Sequence, residues 1–168
     1  MNIAVLGLGN LMLTDDGIGI HAIRMLSVDS RVPRNVQIIE GGTLGLDLLH
    51  SLREVTHLLA VDAVDTGAAP GTLSRFADAE LTGLPIAKSV HLLGFADLLG
   101  SLRLLEDAPL EVVLLGLQPK STDWGVTLSP IVDAALHDLV EAALDQLSYW
   151  QEVSRSSQEL CNFRSQSE

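Results

Sequence analysis

Three side chains in this sequence combine metal-donor or proton-transfer chemistry with a place at the end of a regular element. Asp16 is the second of two adjacent aspartates in "LGLGNLMLTDDGIG" (Leu6 to Gly19). Asp62 interrupts the apolar run "VTHLLAVDA" (55–63), and His91 stands near the start of "SVHLLGFADLLGSL" (89–102). Carboxylate oxygens are hard donors and imidazole nitrogen is intermediate, so such a set suits nickel, zinc, iron or manganese without choosing among them. Three protein donors also leave coordination positions open, as at a catalytic metal or at one carried in by a substrate. A helix start disfavours imidazolium, which is expected to keep His91 neutral and able to ligate.

The first loop also has the outline of a phosphate cradle. Gly7 and Gly9 fill two places of a GxGxxG pattern, and Glu40 ends the next apolar run, where a ribose-binding acid belongs. The third glycine is replaced by Met12, however, and Asp15 and Asp16 occupy the helix start that a pyrophosphate needs. Like charges 4 Å apart repel by about 4 kcal/mol at an effective dielectric of about 20, so the loop favours a cation over a phosphate. One aspartate suffices to cap a helix, and the second asks for another role. Asp62 taken alone also fits a turn, and His91 taken alone fits a structural histidine. His50 and Glu54 read as a solvated pair four residues apart, and His21, His57 and His137 as parts of helices and a strand. There is no HExxH, GxSxG, Walker loop or CxxC, so the hydrolase and nucleotidase chemistries those motifs serve have no support.

The elements that must position these residues follow from periodicity. Apolar runs at 2–6, 35–42, 55–63 and 110–119 read as buried strands, and "GTLSRF" (71–76) as an edge strand among turn signals. Between them lie helical patterns: one from Asp16, one over 43–54 with Thr43 as cap, one over 89–102, and one over 129–147 with Ser129 as cap and Pro130 in the first turn. This alternation predicts an α/β fold, a three-layer α/β/α sandwich around a mostly parallel sheet. Right-handed crossovers then bring the strand ends carrying Gly7, Glu40, Asp62 and Gln118 to one edge, where open α/β sheets bind ligands. A single domain is expected over residues 1–149, followed by a polar tail, 150–168, that frays.

With 47% hydrophobic residues and only 4% aromatic ones, the core is expected to be aliphatic. A net charge of −12 argues against nucleic acid and anionic membranes as partners. The sole cysteine, Cys161, and the lack of a secretory or membrane-spanning pattern point to a reducing compartment, the cytoplasm.

The segments "GLGNLMLTDDGIG", "EGGTLGLDLL", "VDAVDTGAAPGTL", "HLLGFADLL" and "LLGLQP" together resemble the maturation endopeptidases of nickel-iron hydrogenases, in the same order and over roughly residues 1–147. The resemblance implies a five-stranded mixed sheet with one antiparallel strand. It also implies a hydrolase that removes a C-terminal peptide from a hydrogenase large-subunit precursor after nickel insertion. On this chain the family's metal-contacting acids fall on Asp16 and Asp62 and its histidine on His91, which makes these three both the catalytic and the nickel-reading residues expected. The first acid is glutamate in some members, and Asp16 reaches less far. The alternatives are a non-catalytic nickel carrier or assembly scaffold and a nucleotide-binding α/β enzyme.

Overall fold

A computed structural model describes residues 1–77, 80–81 and 90–165. Five strands, β1 (Ile3–Leu8), β2 (Val36–Gly42), β3 (His57–Ala63), β4 (Leu73–Ala77) and β5 (Glu111–Leu117), form one sheet in the order β2-β1-β3-β5-β4. The pairs β1·β2, β1·β3 and β3·β5 are parallel, and β4 runs antiparallel to β5 at the sheet edge. β4 is thus the expected edge strand.

Among the described residues, the helices α1 (Ile18–Val28), α2 (Val90–Leu104) and α3 (Pro130–Ser165) and a 3₁₀ segment over Gly45–Leu52 cover the sheet. Because strand side chains alternate, β1 feeds two cores at once. Ile3 and Val5 join Ile23 and Leu26 of α1 and Leu139, Ala143 and Leu147 of α3 on one face. Ala4, Leu6 and Leu8 join Leu48 and Leu52 of the 3₁₀ segment and Phe95, Leu98 and Leu102 of α2 on the other. Burial on both faces explains why β1, β3 and β5 read as nearly continuous apolar runs, whereas β2, at the other sheet edge, is only partly buried.

Two boundaries differ from expectation. Over 43–54 the chain makes a 3₁₀ helix with no side-chain cap, so Thr43 does not cap it; positive-φ turns at Gly42 and Gly45 delay its start. Of the apolar residues at helical spacing, Leu44, Leu48, Leu49 and Leu52, the last three pack on the sheet, Leu49 only partly, and Leu44 is exposed.

The second difference is at the C-terminal end. α3 continues through Ser165, with no break at residue 149. Trp150, placed by composition in the tail, is 1% exposed, belongs to the α1/α3 core, and meets His57 edge-to-face at 5.2 Å. Residues 150–165 contain no Gly or Pro, and polarity alone does not stop a helix. The packed domain therefore extends past Tyr149. Trp150→Ala is expected to cost about 3–5 kcal/mol in urea denaturation, as large aromatic truncations in cores do, whereas Tyr149→Ala, on the solvent side, costs less than about 1 kcal/mol. Equal, small losses for both would contradict this boundary.

Candidate functional site

The parallel register sets β1, β3 and β5 side by side, pairing Gly7 with Val61 and Asp62 with Gly116, so that their C-terminal ends open on one edge. After β1 the chain loops through Asn10 to a single 3₁₀ turn, Thr14–Gly17, which carries both aspartates and runs directly into α1. The glycines of this loop serve the packing of backbone on backbone. At Gly19 a Cβ would lie 2.2 Å from the Leu8 carbonyl oxygen and 2.3 Å from that of Val61, so only glycine lets α1 sit this close to β1 and β3. At Gly9 φ is +129°, and a Cβ would lie 2.0 Å from the Asp16 carbonyl oxygen. The space a phosphate cradle would need is filled by the helix itself.

Asp16 and His91 meet. The Asp16 Oδ2 lies 2.8 Å from His91 Nε2 and accepts the Asn10 N–H at 3.0 Å, and both side chains are largely buried. They line a cleft of about 560 Å³ together with Asn10, Asp65, Phe95 and Gln118. Asp62 is placed differently. It ends β3 as expected, yet it is 0% exposed, is not among the residues lining the cleft, and accepts the N–H of Ala63 at 2.9 Å through Oδ1. Its negative charge acts on His91. Burial by itself pushes the His91 pKa down, but the hydrogen bond to Asp16 and the negative charges of Asp62 and Asp16 together raise it above its ordinary value. The ring therefore holds its proton more firmly than its helix-start position implied: two nearby carboxylates outweigh one helix terminus. Among the described residues, no three His, Cys, Asp or Glu side chains are grouped tightly enough to hold a metal ion by themselves. The arrangement is an imidazole–carboxylate pair facing a cleft, with a second carboxylate behind it.

Asp15, the residue whose role the sequence did not disclose, points the other way. It is 0% exposed and caps no part of its own helix. Instead its carboxylate accepts the N–H groups of Lys120 (2.9 Å), Ser121 (3.0 Å) and Ser129 (2.6 Å) and the Ser129 hydroxyl (2.8 Å). One carboxylate thus fastens Ser129, whose hydroxyl it occupies, just ahead of α3 and pins the loop after β5, at a sequence distance that no local pattern records. Gln118 locks the adjoining wall: its Oε1 accepts the Thr66 N–H (2.7 Å) and hydroxyl, and its Nε2 donates to Asp65 (2.9 Å).

Glu40, the acid favouring a nucleotide, forms a two-bonded ion pair with Arg24 on the surface (3.0 and 3.2 Å) and is not among the cleft residues. The other histidines stay outside the site as well. His57 packs on Trp150, His50 is exposed, and His137 is exposed near Glu141.

Burial raises the Asp15 pKa, but its hydrogen bonds from Ser129, Ser121 and Lys120 outweigh that, and the pKa falls below the ordinary 3.8. A carboxyl with a depressed folded-state pKa stabilises the fold above its unfolded pKa, and that contribution disappears as the pH falls through the folded-state value. Asp15→Asn is therefore expected to destabilise the protein at neutral pH by about 2 kcal/mol or more. Its deficit against wild type should shrink below about pH 4. Denaturant titrations at both pH values check this, and a pH-independent difference would contradict it.

Comparison with known proteins bears on the family and the fold. The sequence model of the hydrogenase maturation protease family (HycI) matches residues 20–146. The chain is 38% identical to the hydrogenase 2 maturation protease of Escherichia coli K12 over 149 residues, 88% of each chain. It is 36% identical to the hydrogenase expression/formation protein HupD of Thiocapsa roseopersicina over 156 residues, 91% of this chain and 71% of that one. Among solved structures, the hydrogenase maturating endopeptidase HybD from E. coli superposes with a TM-score of 0.82 at 35% identity, covering 89% of this chain and 93% of that one. The [NiFe] hydrogenase maturation protease HybD from Thermococcus kodakarensis gives a TM-score of 0.76 at 28% identity, covering 88% and 99%. The five-stranded sheet with one antiparallel strand is the sheet of these endopeptidases, and the chain belongs to the hydrogenase maturation protease family, whose chemistry is peptide-bond hydrolysis.

Proposed function

We propose that this protease removes the C-terminal peptide of a nickel-iron hydrogenase large-subunit precursor once nickel is in place, and that it reads the nickel through Asp16 and His91, with Asp62 as the second carboxylate of the set. The observation that carries this reading is the direct contact of Asp16 Oδ2 with His91 Nε2 at the wall of a cleft of about 560 Å³, room for a short stretch of peptide.

The donor spacing suits the proposal. Two ligands bound to one metal at about 2.0–2.2 Å each, at an angle near 90°, sit about 3 Å apart. The oxygen and nitrogen here are 2.8 Å apart, so replacing the shared proton by a metal ion requires little movement. The Asn10 N–H fixes the position of the Asp16 carboxylate. Asp62, fully buried, adds negative charge on the imidazole that favours a cation beside it. Asp16, Asp62 and His91 come from three different elements, so the set exists only in the folded chain. Nickel here is part of the substrate, and when bound it supplies Lewis acidity toward the scissile carbonyl or an attacking water. A protease that recognises its substrate through nickel has no need of a resident metal.

No helix among the described residues is long and apolar enough to cross a membrane, and with a single cysteine the chain suits the cytoplasm, where we place the reaction.

Asp16→Ala and His91→Ala are each expected to lower precursor processing at least a hundredfold, read as the mass of the large subunit, while the thermal midpoint of the protease changes little. Asp16→Glu, which keeps the donor, should recover part of the activity. Near-full processing by either alanine variant would remove those residues from the mechanism.

A further inference from the structure

We infer that the segment around Trp124, together with Met12, is a docking surface for the folded body of the nickel-loaded precursor, separate from the cleft that takes its C-terminal peptide; the inference rests on the function proposed above. Trp124 is 82% exposed, Val126 65% and Met12 52%. They form one rim, because Gly125 donates its N–H to the Met12 carbonyl (3.0 Å) and accepts the Thr14 N–H (2.8 Å), pairing the two segments backbone to backbone. The rim is held firmly in place. Asp15 anchors its two ends at Lys120–Ser121 and Ser129, and Ser121 and Asp123 bond to each other through both the Ser121 hydroxyl and the Asp123 N–H. A rigid loop that presents an indole to water, with its entropy cost already met by a buried carboxylate, has the properties of an interface anchor.

Its position identifies the occupant. Leu13, next to Met12, and Ser121 and Thr122, in the same loop as Trp124, line the cleft. Across the cleft, Gly45 and Gly94 also line it and pack against each other, and they carry the exposed Leu44, Leu46 and Leu93 beside them. The cleft is therefore flanked by exposed apolar side chains on both sides. A cleft of about 560 Å³ holds only a short peptide, and a specific complex typically buries about 800 Å² on each partner. The missing area is available on these rims, continuous with the site, and a substrate read through a metal inside its folded body brings that body to the rims.

The test measures the affinity of the protease for nickel-loaded precursor by rapid mixing before turnover, with and without the pair Trp124→Ser and Val126→Ser, alongside the KM and kcat of the same proteins. The rim pair is expected to weaken binding and raise KM at least tenfold while kcat at saturation changes less than threefold. Leu44→Ser on the opposite rim provides a second variant should the pair fold poorly, with a smaller effect of the same kind. Unchanged affinity and KM in folded variants, while the wild-type protein still processes precursor, would overturn the docking surface and leave the proposed function standing. A wild-type protein that neither binds nor cleaves the precursor would overturn both. Loss of a wild-type dimer in sedimentation, with precursor affinity intact, would reassign the rim to a second copy of the chain and also overturn the inference.

Discussion

The buried carboxylate of Asp15 is the interaction on which the site depends. Four hydrogen bonds gather the start of α3, the loop after β5 and the turn before α1 around one side chain. A buried ionised group is tolerated only when its lone pairs are satisfied this completely. Once Asp15 is fixed, the 3₁₀ turn that holds it has one orientation, and the next residue, Asp16, is turned toward the cleft and His91. The two aspartates that stand together in the sequence thus divide the work: one fastens the framework and the other faces the chemistry.

The close approach of α1 to the sheet is the second constraint. Gly19 lets the helix contact the carbonyls of Leu8 and Val61, and Gly9 lets the loop fold back over Asp16. The helix start thereby lies over the ends of β1 and β3, and the buried charge of Asp62 at the end of β3 acts on His91. A cradle built this tightly leaves the loop's glycines no space for a dinucleotide, and Glu40 is occupied by Arg24 at the surface. Motif arithmetic and packing disagree about these glycines, and packing decides, since a glycine pattern reports only that backbone comes close to something.

Much of this was legible in the sequence. β1, β3 and β5 read as nearly unbroken apolar runs because both faces are buried, the edge position of β4 followed from its short run among turn residues, and the meeting of the strand ends that carry Gly7, Glu40 and Asp62 on one edge followed from the handedness of the crossovers. What was hidden depends on contacts distant in the chain. The partners of Asp15 lie 105 to 114 residues away, beyond any spacing rule. The extension of α3 past Tyr149 was masked because hydropathy reports burial and not helix propensity, and Trp150 is buried by a partner, His57, on another element. The direction in which the His91 pKa moves was misjudged for a similar reason: its helix start was visible in the sequence, whereas the two carboxylates that oppose it arrive only with the fold.

The central claim is that a protein substrate is recognised through a metal by an acid and a histidine set on a sheet edge. It is tested most directly by the mass of the large-subunit precursor after incubation with this protein, comparing nickel-loaded and nickel-free forms of the same preparation. The account predicts that only the loaded form loses its C-terminal peptide. Cleavage of both forms at the same rate would contradict it, leaving a peptidase that does not read nickel.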